Sequence, residues 1–93
     1  MQLLNGLTAG ESRISEFAKI SAEIHNIIGT RCADEENYPE ALENFSKAIE
    51  LNPKDAAAYF NRGTVKIEMG DYSGASADFR NSYNLNSTKP IHH

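Results

Sequence analysis

The chain has 93 residues, of which 40% are hydrophobic and 24% charged, and a net charge of −4. That length holds one compact domain and not two, and the composition excludes a disordered or fibrous chain. Without clustered Lys and Arg to neutralise phosphates a non-specific nucleic-acid binder is excluded, and no apolar run approaches the roughly 18 residues of a membrane span.

The segment Met1 to Leu7 lacks the basic head and long apolar stretch of a secretory signal. Residues 8–21 are predicted helical. Thr8-Ala9-Gly10-Glu11 reads as a capping box, and Ile14, Phe17, Ser21, Ile24 and Ile28 succeed it at spacings of three and four. No proline or glycine falls between residues 11 and 28. Two arrangements are open: one long helix continuous with the segment from residue 22, or a separate capping helix bent near Ser21. Leu3, Leu4 and Leu7 would then be either a loose apolar tail or an anchor for a partner.

From residue 22 the chain repeats itself at an offset of 34. The offset pairs Ala22 with Ala56, Gly29 with Gly63, Thr30 with Thr64 and Tyr38 with Tyr72. It also pairs Ala41 with Ala75, Phe45 with Phe79, Leu51 with Leu85 and Asn52 with Asn86. Eight identities across 32 ungapped positions establish an internal duplication.

Each copy reads as a helix A, a tight turn and a helix B. In the first copy Asn37 is the predicted cap of helix B, with Pro39 in its first turn and Glu40 completing a capping box. Residues 39–51 place Leu42, Phe45, Ala48 and Ile49 at helical spacing, and Pro53 stops the run. In the second copy Asp55 and Asp71 precede the two helices as N-caps, and Gly70-Asp71 makes the turn.

The second copy carries Tyr59, Arg62-Gly63, Gly70-Asp71-Tyr72, Ala75 and Phe79 in that order. The first carries His25, Ile28-Gly29, Cys32, Asn37-Tyr38, Ala41, Phe45, Ala48 and Pro53. In these residues and their spacing the chain resembles the tetratricopeptide repeat family. The small residues Gly29, Gly63, Ala41 and Ala75 let helices approach, and Phe45 and Phe79 fill the space between them. Arg62, Lys66 and Ser82 depart from usually apolar or small positions and are expected to loosen local packing. Glu36 stands where Gly70 sits in the second copy.

The resemblance implies an all-α fold of antiparallel helix–turn–helix repeats, a right-handed α-solenoid of about four to five helices. The expected organisation is an N-terminal extension helix over 1–21, repeats over 22–54 and 55–87, and a flexible tail over 88–93. Two repeats are fewer than the three or so that usually stabilise such an array, so the flanks must cover the open faces. Ser76, Ser82 and Ser87 replace Leu42, Ala48 and Pro53, which marks the second copy as the wetter, terminal one. Tyr83 and Leu85 remain apolar there and leave a homodimer contact open as an alternative.

Family members bind peptides in a groove lined by helix A of successive repeats. Carried over by position, that groove takes Glu23, Asn26, Thr30, Ala33 and Asp34 from the first copy. From the second it takes Ala57, Phe60, Asn61, Thr64, Ile67 and Glu68. Asn61 matches the position whose amide bonds a peptide backbone. The lysines with which some members clamp a terminal carboxylate are missing, since those places hold Asn26 and Thr30. Acidity is concentrated in residues 22–53, which carry seven acids against Arg31 and Lys47. It reads either as a solvated face or as a surface that steers a basic or amphipathic partner.

Nothing in the sequence forms a phosphate loop, a metal set or a nucleophile beside its base, so no cofactor and no enzymatic activity are expected. Cys32, the single cysteine, permits no internal disulfide and points to a reducing compartment, the cytoplasm. It matches a helix-packing position, as His25 matches an aromatic one. His92 and His93 read as a tail of tag origin. The function expected is a protein-binding adaptor, with a self-associating structural module as the alternative.

Overall fold

The computed structural model describes residues 2–87, with side chains from Arg13 onward. Four helices succeed one another: α1 (Gln2–Asp34), α2 (Tyr38–Leu51), α3 (Ala56–Glu68) and α4 (Tyr72–Asn86), with no strand among the described residues. The predicted tail residues His92 and His93 lie outside the described range.

The N-terminal region is one unbroken helix. With neither proline nor glycine between residues 11 and 28, nothing interrupts the backbone ladder at Ser21, and the extension runs straight into helix A of the first copy. Thr8 begins nothing: α1 starts six residues earlier, so the expected capping box falls inside the helix. Leu3, Leu4 and Leu7 belong to its first turns, where backbone alone is described.

Both A helices end in the same way. Asn37 N–H donates to Cys32 O at 2.8 Å and Glu36 N–H to Ala33 O at 2.9 Å. In the second copy Asp71 N–H reaches Lys66 O at 2.8 Å and Gly70 N–H reaches Ile67 O at 3.0 Å. This paired closure needs a left-handed residue just past the helix. Gly70 supplies it at φ 84° without penalty, whereas Glu36 adopts φ 63° against a cost of roughly 1–2 kcal/mol.

Caps start the later helices as their sequences require, with one exception. Asp55 Oδ1 accepts from Ala57 N–H at 3.1 Å and Ala58 N–H at 3.3 Å, and Asp71 Oδ1 accepts from Gly74 N–H at 3.0 Å. Asn37 stands at the N-cap of α2 but makes no side-chain cap. Its amide instead donates to Glu40 Oε1 at 2.6 Å, so the predicted capping box is replaced by a side-chain pair. Pro39, whose ring presets the helical φ, supplies part of the start signal.

The helices pack in chain order, α1 on α2, α2 on α3 and α3 on α4, with a brief touch between α1 and α3. The core sits on the junction of the two copies. Phe45, 1% exposed, gathers Cys32 and Ala41 from its own copy and Val65 from the next. Beside it Ala22, Ala48 and Ala58 form a thin layer covered by Ile49 and Leu51. Ala75 closes the second copy in the same buried position as Ala41.

The duplicated glycines are where helix A meets the phenylalanine of helix B. A Cβ on Gly29 would lie 2.7 Å from the Phe45 ring, and one on Gly63 would lie 2.7 Å from the Phe79 ring. Phe45 is buried and cannot yield, while Phe79 is half-buried and can turn outward. Gly29→Ala is therefore expected to destabilise, since overpacking of about 1–3 kcal/mol outweighs the roughly 1 kcal/mol that alanine gains in a helix. Gly63→Ala is expected to lose less. Urea midpoints of the two variants, compared with the parent, check both the sign and the order.

Candidate peptide-binding groove

Five of the eleven predicted groove residues converge. Thr30, Ala33 and Asp34 of α1 face Asn61 and Thr64 of α3 across an open depression of about 180 Å³, floored by Phe45 and Val65. The small side chains come from the duplication itself. Thr30 and Thr64 each turn their hydroxyl back to a carbonyl four residues earlier, Asn26 O at 2.9 Å and Phe60 O at 3.0 Å, which satisfies both hydroxyls within the helix. Asp34 stands on its rim, while Glu23, Ala57 and Glu68 are exposed farther along the same helices.

Asn26 does something different. Its Nδ2 donates to Asp55 Oδ2 at 2.7 Å, so one carboxylate both caps α3 and ties the two copies together. The other end of that amide, Oδ1, is buried without a hydrogen-bond partner. An acceptor in that state is a standing desolvation cost.

Phe60 and Ile67 do not join the depression. By the 34-residue offset they are the counterparts of Asn26 and Ala33, the residues with which α1 meets the next copy. The described residues hold no further copy, and both side chains remain exposed, at 55% and 40%. Phe60 leans on Phe79 with ring centroids 5.4 Å apart and planes tilted by 49°.

The interior contains a polar cluster that the spacing pattern did not foretell. Asp78 of α4, 2% exposed, receives Arg62 Nε on Oδ2 and Arg62 Nη2 on Oδ1, both at 2.8 Å. Lys66 Nζ approaches the same carboxylate at 3.1 Å, and Arg62 Nη1 donates to Ser46 Oγ of α2 at 3.1 Å. Three helices are thereby pinned at one point. Burial alone would push the Asp78 carboxyl up, but the hydrogen bonds and charges of Arg62 and Lys66 outweigh it and hold the group below the usual carboxylate range. Arg62 and Lys66 thus do not loosen the packing as their departure from the family pattern suggested, because both stems lie along α3 and both charges are met. Ser82 is likewise corrected: it is buried, not part of a wet outer face, whereas Ser76, Ser87 and Tyr83 are exposed. The available signal was Arg62 and Lys66 one turn apart on a packing face, with Asp78 between Ala75 and Ser82 on the opposing one.

Cys32 is buried in the core, where burial first and the carboxylates of Glu40 and Glu35 next push its thiol up, away from the reactive thiolate. His25 is half-buried, and its Nδ1 pairs with Asn44 Oδ1 at 3.0 Å. Among the described residues no three His, Cys, Asp or Glu side chains gather as a metal ion would require. None of their helices is long and apolar enough to cross a membrane.

Two family models match the chain, one described as TPR repeat over residues 29–70 and one as tetratricopeptide repeat over residues 56–89. Among relatives, tetratricopeptide repeat protein 36 of Danio rerio is 36% identical over 61 residues, covering 66% of this chain and 33% of that protein. The Hsp70-Hsp90 organising protein of Plasmodium falciparum is 32% identical over 57 residues, 61% of this chain and 10% of its own length. The human small glutamine-rich tetratricopeptide repeat-containing protein beta is 38% identical over 50 residues, 54% of this chain and 16% of that one. The chain thus spans a third or less of each of these relatives.

Proposed function

The chain belongs to the tetratricopeptide repeat family, and from that premise we propose that it is a non-enzymatic adaptor that binds a basic or amphipathic peptide segment along helices α1 and α3. The observation that carries this reading is the open depression between Thr30, Ala33 and Asp34 on one side and Asn61 and Thr64 on the other. An extended backbone laid there meets small side chains and the Asn61 amide, which offers both a donor and an acceptor. Asp34 on its rim, with Glu23 and Glu68 exposed farther along the same helices, adds negative charge, which raises the encounter rate of a cationic segment and disfavours an acidic one. A relative named as an organising protein for Hsp70 and Hsp90 is consistent with a protein partner. A reduced, buried Cys32 fits action in the cytoplasm.

Self-association through the N-terminal helix is the second reading, favoured by the apolar side chains that α1 leaves exposed. It engages a different face, so the two readings are separable.

Fluorescence anisotropy with labelled Lys/Arg-rich amphipathic peptides tests the adaptor. A variant carrying Glu23→Lys, Asp34→Lys and Glu68→Lys is expected to weaken binding about tenfold or more at low salt, with the loss shrinking as salt screens the charges. Unchanged affinity in that variant contradicts the charge-steered groove.

A further inference from the structure

The part of α1 that no other helix of the described residues covers is apolar. Ile14, Phe17, Ile20, Ile24, Ile27 and Ile28 are 40–68% exposed and form one continuous stripe along the helix. A stripe this long on a chain of this size exceeds what scattered surface hydrophobics explain. Ala22, Gly29 and Cys32 of the same helix are instead buried against Ala48 and Phe45 of α2.

The internal duplication states what belongs on it. At the 34-residue offset Ile24, Ile28 and Arg31 correspond to Ala58, Arg62 and Val65. Those are the residues with which α3 receives α2: Ala58 packs with Ala48, Arg62 bonds Ser46, and Val65 packs on Phe45. The stripe is thus the seat of an antiparallel helix that would precede α1.

Resting on the self-association reading, we infer that a second copy of this chain occupies that seat, its own α1 lying antiparallel against the first in a two-fold symmetric pair. The spacing supports a helical seam. Ile14, Phe17, Ser21, Ile24, Ile28 and Arg31 alternate by three and four, which is the a and d pattern of a left-handed pair. Ile20 and Ile27 flank them at g, and the other two g positions of this segment are Arg13 and Asp34. In an antiparallel pair that sets Phe17 against Ile28, g faces g, so Ile20 meets Ile27 and Arg13 meets Asp34 of the second copy. One register satisfies the apolar contacts and the charges together. A parallel in-register pairing instead sets g against e, so Arg13 faces Ala18 and Ile20 faces His25, and neither Arg13 nor Asp34 meets an opposite charge.

The size is sufficient. Exposed apolar area on the order of 100 Å² per side chain brings the six residues of two copies to about 1,200 Å², the lower edge of a specific interface. Head-to-tail pairing through α4 is poorer, because its exposed outer positions include Ser76, Arg80 and Asn84. Ala33, Asn61 and Thr64 of the depression lie outside the seam, whereas Asp34 serves both the seam and the rim of the depression.

Sedimentation equilibrium of the full chain tests it, with circular dichroism as the check on folding. The expected species is a reversible dimer that does not grow further with concentration. Ile24→Asp, at a position exposed in the monomer, is expected to keep the helical signal and raise the dimer dissociation constant about a hundredfold, because a charge would be buried unpaired. Arg13→Asp and Asp34→Arg are each expected to weaken the dimer about tenfold, and the two together to restore it to within about twofold. A monomer at all concentrations, an open-ended series of oligomers, or a double variant no better than the singles would overturn the inference. Peptide binding is read separately by anisotropy in the Ile24→Asp and Arg13→Asp variants, which leave every groove residue in place.

Discussion

Phe45→Ala is expected to cost about 3–5 kcal/mol, which removes most of the stability of the chain. The ring is 1% exposed and fills the gap opened by Gly29, and it also touches Cys32, Ala41 and Val65. Its removal empties the cluster that joins the two copies, and helices across a void do not collapse to fill it. A domain of this length has a total stability of roughly 5–14 kcal/mol at the general 0.05–0.15 kcal/mol per residue, and a two-repeat array belongs at the low end. Phe79→Ala provides the control. Phe79 is half-buried, with no third copy beyond it among the described residues, so its loss is expected to be clearly smaller. Urea unfolding, monitored by helical circular dichroism, reads both; equal losses would show that the junction is not where the stability resides.

Asp78→Ala is expected to cost about 2–4 kcal/mol. The carboxylate is the counterion that Arg62 and Lys66 share, and without it two cations face each other across one turn of α3. The loss is below that of a fully buried pair because the Arg62 and Lys66 side chains, about one-fifth exposed, can still reach water. Replacing all three by apolar residues, as in Arg62→Leu with Lys66→Met and Asp78→Leu, is expected to recover most of the stability, since no charge is then left unpaired. The same cluster sets an acid limb. Asp78 is held below the usual carboxylate range when folded, so on acidification the unfolded chain takes up this proton first. Its contribution is full above the unfolded value of about pH 4 and is lost as pH falls through the folded value. Asp78→Asn is expected to flatten that limb in a plot of urea midpoint against pH. An unchanged limb would assign it to other carboxylates.

Much of this architecture is written locally in the chain. Gly29 with Phe45 and Gly63 with Phe79 announce themselves through the 34-residue offset, and the structure places each glycine under its ring. Asp55 and Asp71 cap because a short carboxylate before a helix has little else to do. Periodicity alone leaves the continuity of α1 open, and the missing breaker at Ser21 decides it.

What local pattern could not supply is pairing across helices. Asp78 finds Arg62 and Lys66 only once α3 and α4 are docked, and a charged trio on packing faces looks like a fault until its members meet. Asn26 reads as a groove residue by position, yet its amide is committed to Asp55, 29 residues away. Phe60 and Ile67 share helix A spacing with their counterparts in the first copy but, with no further copy among the described residues to receive them, stay exposed outside the depression that Thr30 and Asn61 share. Ile20 and Ile27 show the same limit, because only the docking of α2 determines which side of α1 stays bare.

The most direct test of the adaptor is amide chemical-shift mapping of the uniformly labelled chain during titration with a Lys/Arg-rich amphipathic peptide. Saturable shifts concentrated at Thr30, Ala33, Asp34, Asn61 and Thr64, with a change at the Asn26 amide, are the result expected. Shifts confined to the Ile14–Ile28 face of α1, or no saturable shifts, would contradict binding in the groove.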